Sequence, residues 1–151
     1  MKVIQVNQTQ KRRASEEEKM LSLQVQQIMK HLKTKRVRNK ALLTEKKELT
    51  VVFLKRRDMQ QINFKYRGHN KPTDILSFVS ADPRSLGELL LCSDVLNLQA
   101  RKQGHSLEAE TLYMLIHGVL HLLGYDHELS ESEEKVMFRL QEACFQHLVQ
   151  S

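Results

Sequence analysis

The sequence predicts one domain that mixes about four short strands with about five helices, and three observations carry that expectation. The chain has 151 residues, 40% of them apolar, which suits a single hydrophobic core. Short apolar, often β-branched runs recur at intervals, as strands require. Between them, and alone in the last third, apolar residues return at the 3.6-residue period of helices. Residues 1–151 are therefore expected to form one domain. With three Tyr, five Phe and no Trp, its core must come mainly from Leu, Val, Ile and Met.

KVIQVN, residues 2–7, is β-branched and reads as a short strand. Ser15 with Glu18 three residues later has the form of a capping box. Met20, Leu21, Leu23, Val25, Ile28, Met29 and Leu32 follow at helical spacing, giving a helix over about 16–33. Residues 33–48 carry five basic side chains in the first eight positions and no clear apolar period, so a loop or frayed helix end is expected. LTVVFL, residues 49–54, suits a strand buried on both faces. Met59, Ile62, Asn63 and Tyr66 mark one side of a helix beginning near Asp58, with Pro72 as its stop.

A strand at 75–79, a turn at Asp82-Pro83 and a strand at 86–92 come next. Ser93 or Asp94 is placed to cap a helix running to about Gln103 and closed by Gly104. Ser106 is placed to cap another, with Glu108 and Glu110 at its positive end. That helix, 107–123, is apolar on most sides and should be buried. Ser130 with Glu133 opens a final amphipathic helix through Val136, Met137, Leu140, Ala143, Cys144 and Leu148. No internal repeat or low-complexity tract interrupts the pattern.

Cys92 and Cys144 are the only cysteines and form no CxxC pair, so no disulfide framework is indicated. No run approaches the roughly 18 apolar residues of a membrane span, and the start lacks the apolar run of a secretory signal. A cytoplasmic protein without membrane association is expected. The net charge of +6 is unevenly placed: residues 1–70 hold 18 Lys/Arg against 6 Asp/Glu, and residues 71–151 hold 6 against 12. A basic half of this kind attracts polyanions, of which nucleic acid is the commonest.

The chemistry is concentrated in HGVLHLLGYDH. His117 and His121 are four residues apart, so on a helix they project from one face and can hold one ion together. Gly124 sits where the helix end needs a left-handed residue, letting the chain reverse and bring His127 to the same ion. Three imidazoles with an open fourth position suit a catalytic transition metal, zinc first, whereas structural sites are usually closed by four ligands. Such an ion lowers the pKa of its water from about 16 to about 7 and polarises the bond under attack. Satisfied core histidines are the plainer alternative, but three polar rings in an otherwise apolar helix and its turn each need partners.

The spacing HxxxHxxGxxH is shared with metzincin proteases, but those carry Glu after the first His, where this chain has Gly118. A base must come from elsewhere in the chain, from the substrate itself, or be replaced by direct ionisation of the metal-bound water; Asp126 and Glu88 are the candidate residues. Asp126 can equally orient a ligand or accept turn hydrogen bonds.

HGVLHLLGYDH, taken with YRGHNKPTDILSF and LGELLLC upstream, resembles the YbeY family of bacterial metal-dependent endoribonucleases over roughly residues 49–142. The resemblance implies an α+β domain with a small mixed sheet of about four strands, packed by helices, with zinc held by His117, His121 and His127 on a buried helix. It implies cleavage of single-stranded RNA in ribosomal RNA maturation, notably at the small-subunit RNA 3′ end, and a part in ribosome quality control. The partners implied are ribosomal RNA, the ribosome and other ribosome-maturation proteins. Arg67 matches the family's arginine near the metal, and a guanidinium there can clamp the charge built on a phosphodiester. Lys71, in the same loop as His69 and Asn70, is a candidate phosphate contact. The basic run Lys33, Lys35, Arg36, Arg38 and Lys40 is the candidate RNA-tracking surface outside the site. The family's glycine-aspartate pair is Gly87-Glu88 here. Two other readings are a zinc metallopeptidase-like hydrolase, opposed by Gly118, and a non-catalytic, metal-stabilised ribosome biogenesis factor, opposed by the open fourth position.

Overall fold

A computed structural model describes residues 1–7 and 14–150 of the chain. The side chains of residues 6, 7, 14 and 15 stand outside that description, so the capping box expected at Ser15 falls outside the described residues. The elements run β1 (Lys2–Asn7), α1 (Ala14–Lys33), α2 (Leu42–Glu45), β2 (Glu48–Leu54), α3 (Arg56–Arg67), β3 (Ile75–Phe78), β4 (Ser85–Cys92), α4 (Ser93–Gln103), α5 (Leu107–Leu122) and α6 (Glu131–Val149). The sheet order is β1-β2-β4-β3. β1 pairs parallel with β2 and β2 parallel with β4, while β3 runs antiparallel to β4 at the sheet's edge. This is the α+β architecture that the sequence and the family resemblance led us to expect.

The side chains of the sheet divide by its pleat. Leu49, Val51, Ile75, Leu89 and Leu91 enter the main core with α1, α5 and α6. Leu54, Leu76, Leu90 and Cys92 enter a smaller cluster that Met59 of α3 completes. The strand expected to be buried on both faces is only half so: along β2, Leu49, Val51 and Leu54 are buried while Thr50, Val52 and Phe53 are partly open. One face of β2 lies under α1 and α5; the other has only the lighter cover of the α3 cluster.

Six helices are present among the described residues, one more than expected. The extra one is α2, a single turn inside the basic segment, whose Leu43 is buried in the main core. Nothing periodic announces it; packing of one leucine fixes it. α3 ends at Gly68 with φ 73°, four residues before the proline assigned as its stop. α4 follows directly from β4, with Cys92 at its N-cap and no side-chain cap bond, so neither Ser93 nor Asp94 performs the capping role. Ser106 and Ser130 do cap as expected, accepting from the amides of Ala109 and Glu133 at 3.1 and 3.2 Å.

α5 is the organising helix. Every residue from Glu110 to Leu120 except the half-buried Tyr113 is buried, and the helix lies against β3 and β4 as well as α6. Gly118 makes that approach possible: a Cβ built there would stand 2.7 Å from Leu89 Cδ2 and 2.8 Å from Ile75 Cδ1. The residue after the first histidine therefore points into the sheet, and a glutamate there would have no room to reach a metal. The reading against a metzincin-like peptidase gains a steric reason.

Candidate active site: three imidazoles beside an arginine

α5 terminates in a Schellman arrangement. The amide of Tyr125 donates to Leu120 O at 3.1 Å and that of Gly124 to His121 O at 3.0 Å, with Gly124 at φ 103°. The chain reverses there and returns His127 toward α5. The turn is braced from outside by the basic segment. Asn39 Nδ2 donates to Leu123 O at 2.8 Å, and the Arg38 amide donates to the Tyr125 hydroxyl at 3.0 Å. The Arg38 guanidinium stacks 4.6 Å from the Tyr125 ring centroid and binds both carboxylate oxygens of Glu133, at 2.7 and 2.8 Å. Arg38, grouped with the RNA-tracking run, is thus a brace for the site's turn; like it, Lys33, Lys35, Arg36 and Lys40 are exposed.

One potential ligand atom from each of His117, His121 and His127 lies within 4.8 Å of the others. His121 Nε2 is 3.1 Å from His127 Nδ1, and the His117 and His121 ring centroids are 4.7 Å apart. His117 is 8% exposed; the other two are half-buried. Burial holds the His117 imidazole below its ordinary value, opposed by its hydrogen bond to Gln141. His121 is pulled down to about 4, first by burial and then by its histidine neighbours. Both rings are neutral at pH 7 and keep a lone pair for a cation.

Gln141, 1% exposed on α6, decides which lone pair His117 offers. Its Nε2 donates to the Tyr113 carbonyl at 3.3 Å, which turns its Oε1 toward His117 Nδ1 at 2.9 Å. An amide oxygen can only accept, so Nδ1 carries the proton and Nε2 is left bare. That is the outer support expected of a metal-binding histidine. With three converging imidazoles and this outer support, the donor set fits a borderline transition metal.

The cluster opens into a cleft of about 960 Å³ along β3, the strand at the sheet's edge. Arg67, from the last turn of α3, lines it and donates from Nη2 to Glu128 Oε1. Glu128 Oε1 is also 3.8 Å from His127 Nε2, so one carboxylate ties the arginine to the histidine cluster. Asp126 lines the cleft too, but its Oδ1 accepts the Glu128 amide at 2.9 Å. The structure thus joins Arg67 to the three histidines. Lys71 and Glu88 are exposed and do not line the cleft. Sequence reasoning missed Glu128, Gln141 and the deeper pair His105 and Glu110, in which buried Glu110 accepts from the His105 ring. Gln141 had a signal: it shares a helical face with Met137 and Cys144, where a polar residue must find a buried partner.

An α+β domain with three imidazoles converging in an open cleft beside a tethered arginine defines a metal-assisted hydrolase. The chain belongs to the Endoribonuclease YbeY family, whose sequence model matches residues 5–149. Endoribonuclease YbeY of Bdellovibrio bacteriovorus is 50% identical over 127 residues, covering 83% of this chain and 85% of that protein. Its counterpart from Acholeplasma laidlawii is 44% identical over 102 residues, covering 66% of this chain and 74% of the relative. The solution structure of TM1509 from Thermotoga maritima superposes with a TM-score of 0.57 at 25% identity, covering 96% of this chain and 86% of that one. The family resemblance seen in the motifs holds across nearly the whole length. The chain is an enzyme, a nuclease of the hydrolase class. No helix among the described residues is long and apolar enough to cross a membrane.

Proposed function

We propose that this enzyme is a zinc-dependent, single-strand-specific endoribonuclease that matures ribosomal RNA at the small-subunit 3′ end and serves ribosome quality control in the cytoplasm. Ribosomal RNA, the ribosome and other ribosome-maturation proteins are its partners in this reading. The observation that carries it is the convergence of His117, His121 and His127 with Arg67 in one open cleft. When bound, a zinc ion held by the three imidazoles supplies Lewis acidity at the phosphodiester.

The chain's own residues supply the rest. Arg67 has five donors and gives one to Glu128, so others remain for the phosphate oxygens on which charge develops. Glu128 keeps the guanidinium facing the cleft before substrate arrives. Gln141 holds the His117 tautomer, and the exposed Lys33, Lys35, Arg36 and Lys40 add long-range attraction for a polyanion. Lys71, exposed on the loop after α3, is the candidate contact for a flanking phosphate. The ribosomal substrate and the single-strand preference are supported by family membership.

The test is cleavage of a single-stranded ribosomal RNA fragment by wild-type protein of known metal content beside His121→Ala and Arg67→Ala, each checked for folding by circular dichroism. About one metal per chain and loss of cleavage in both folded variants are expected. Equal cutting by all three proteins would assign the activity to a contaminant and overturn the reading.

A further inference from the structure

Tyr66 stands on the side of α3 whose earlier residues are buried. It follows Met59 and Asn63, both buried, at spacings of seven and three on the same side of α3. Yet it is 60% exposed. At this last turn of α3 the ring meets Phe78, the final residue of β3. There the Tyr66 and Phe78 rings lie edge to face, 5.2 Å between centroids at 65°. Both line the cleft that holds the three histidines, and Arg67 is the next residue in the chain. Lys65 Nζ lies 5.3 Å from the Tyr66 ring centroid, adding a second cation to the same rim.

An edge-to-face aromatic pair leaves ring surface open for a third ring. Flanked by two cations and set beside a three-histidine site, that surface matches the chemistry of a nucleotide: a planar base on the aromatic ring, its phosphate on the neighbouring guanidinium. An apolar peptide side chain would find the ring but make no use of the Lys65 ammonium or of the Arg67 donors that Glu128 leaves free.

We propose that Tyr66, backed by Phe78, is a stacking platform for one unpaired nucleobase of the RNA strand whose adjoining phosphate is held by Arg67. The inference rests on the endoribonuclease reading and deepens it. A base can reach this platform only when it is unstacked from its own strand and free of a pairing partner, so the platform favours single-stranded over duplex substrate. Stacking tolerates every base, because each has a π-face, so Tyr66 confers strandedness and not sequence.

The chain has no tryptophan, so Tyr66→Trp places a single fluorescent reporter on the platform. The metal-loaded variant is mixed in stopped flow with a single-stranded oligoribonucleotide and, separately, with an abasic strand of equal length, and fluorescence is read before cleavage. Strand binding is followed independently by anisotropy of a terminal label. Quenching by the base-bearing strand alone, with both strands bound, is expected. In parallel, Tyr66→Ala should weaken oligoribonucleotide binding by roughly 5- to 100-fold and Tyr66→Phe by less than about threefold, as stacking requires. Binding of both strands without quenching, or equal quenching by both, overturns the platform while leaving the nuclease reading intact. A protein that neither binds nor cuts the base-bearing strand overturns both.

Discussion

Gln141 Oε1 lies 2.9 Å from His117 Nδ1, and the same amide's nitrogen is committed to the Tyr113 carbonyl. A residue on the last helix thereby sets the protonation pattern of a ligand on the helix before it. Replacing Gln141 by Leu removes the acceptor and frees the tautomer. Metal affinity should fall about 10- to 100-fold, measured by competition with a chromophoric chelator, while Gln141→Glu, which keeps an acceptor, should retain most of it. Equal affinity in Gln141→Leu would show that His117 is oriented by its burial alone.

Gly118 is held to glycine by packing. Gly118→Ala must displace Leu89 and Ile75, both part of the main core, and should cost about 1–3 kcal/mol in urea denaturation. A neutral result would mean that α5 can lift from the sheet without loss.

The metal-free protein should lose stability as pH falls. The folded-state pKa values of His117 and His121 are depressed, so the unfolded chain takes up protons that the folded chain refuses. Stability is fully present above the unfolded value of about 6.5 and declines as pH drops toward about 4, where His121 titrates. Urea midpoints of chelator-treated protein between pH 7.5 and 4.5 read this directly, and His121→Gln should flatten the decline. A midpoint that rises on acidification would contradict it.

Both cysteines are buried, and burial pushes the Cys144 thiol up to about 12. The thiolate is the reacting species, so the folded protein at pH 8 should resist a disulfide-exchange reagent and titrate as two thiols only in denaturant. Prompt reaction of either thiol in the native state would show that the core opens locally.

What could be read from the sequence was what is local. Ser106 and Ser130 announced their helices because a cap bonds to an amide three residues on. The three histidines were legible because helix spacing and one glycine turn bring them together. Four residues escaped because their roles are made by tertiary placement. Tyr66 marks one side of a helix in the sequence but stands exposed against Phe78 in the fold, and Arg38, one member of a basic run in the sequence, braces the turn before His127. Glu128 and Gln141 acquired partners 61 and 24 residues away. α2 escaped because one buried leucine, with no period around it, holds it in place.

The three histidines fall within the eleven residues from His117 to His127, whereas β1 must find β2 across 46 residues, from Lys2 to Glu48. Chelation is therefore a short-range event and sheet assembly a long-range one, delayed by the entropy of closing that loop. A partly folded chain with its α5 segment helical would already offer the three imidazoles, so metal loading would add less to global stability than native affinity alone would give. Arg67 on α3 and Gln141 on α6 reach the histidines only through contacts 61 and 24 residues long in sequence. On that order the nascent chain would hold metal before it is competent, and its capacity to cut would wait for the rest of the fold.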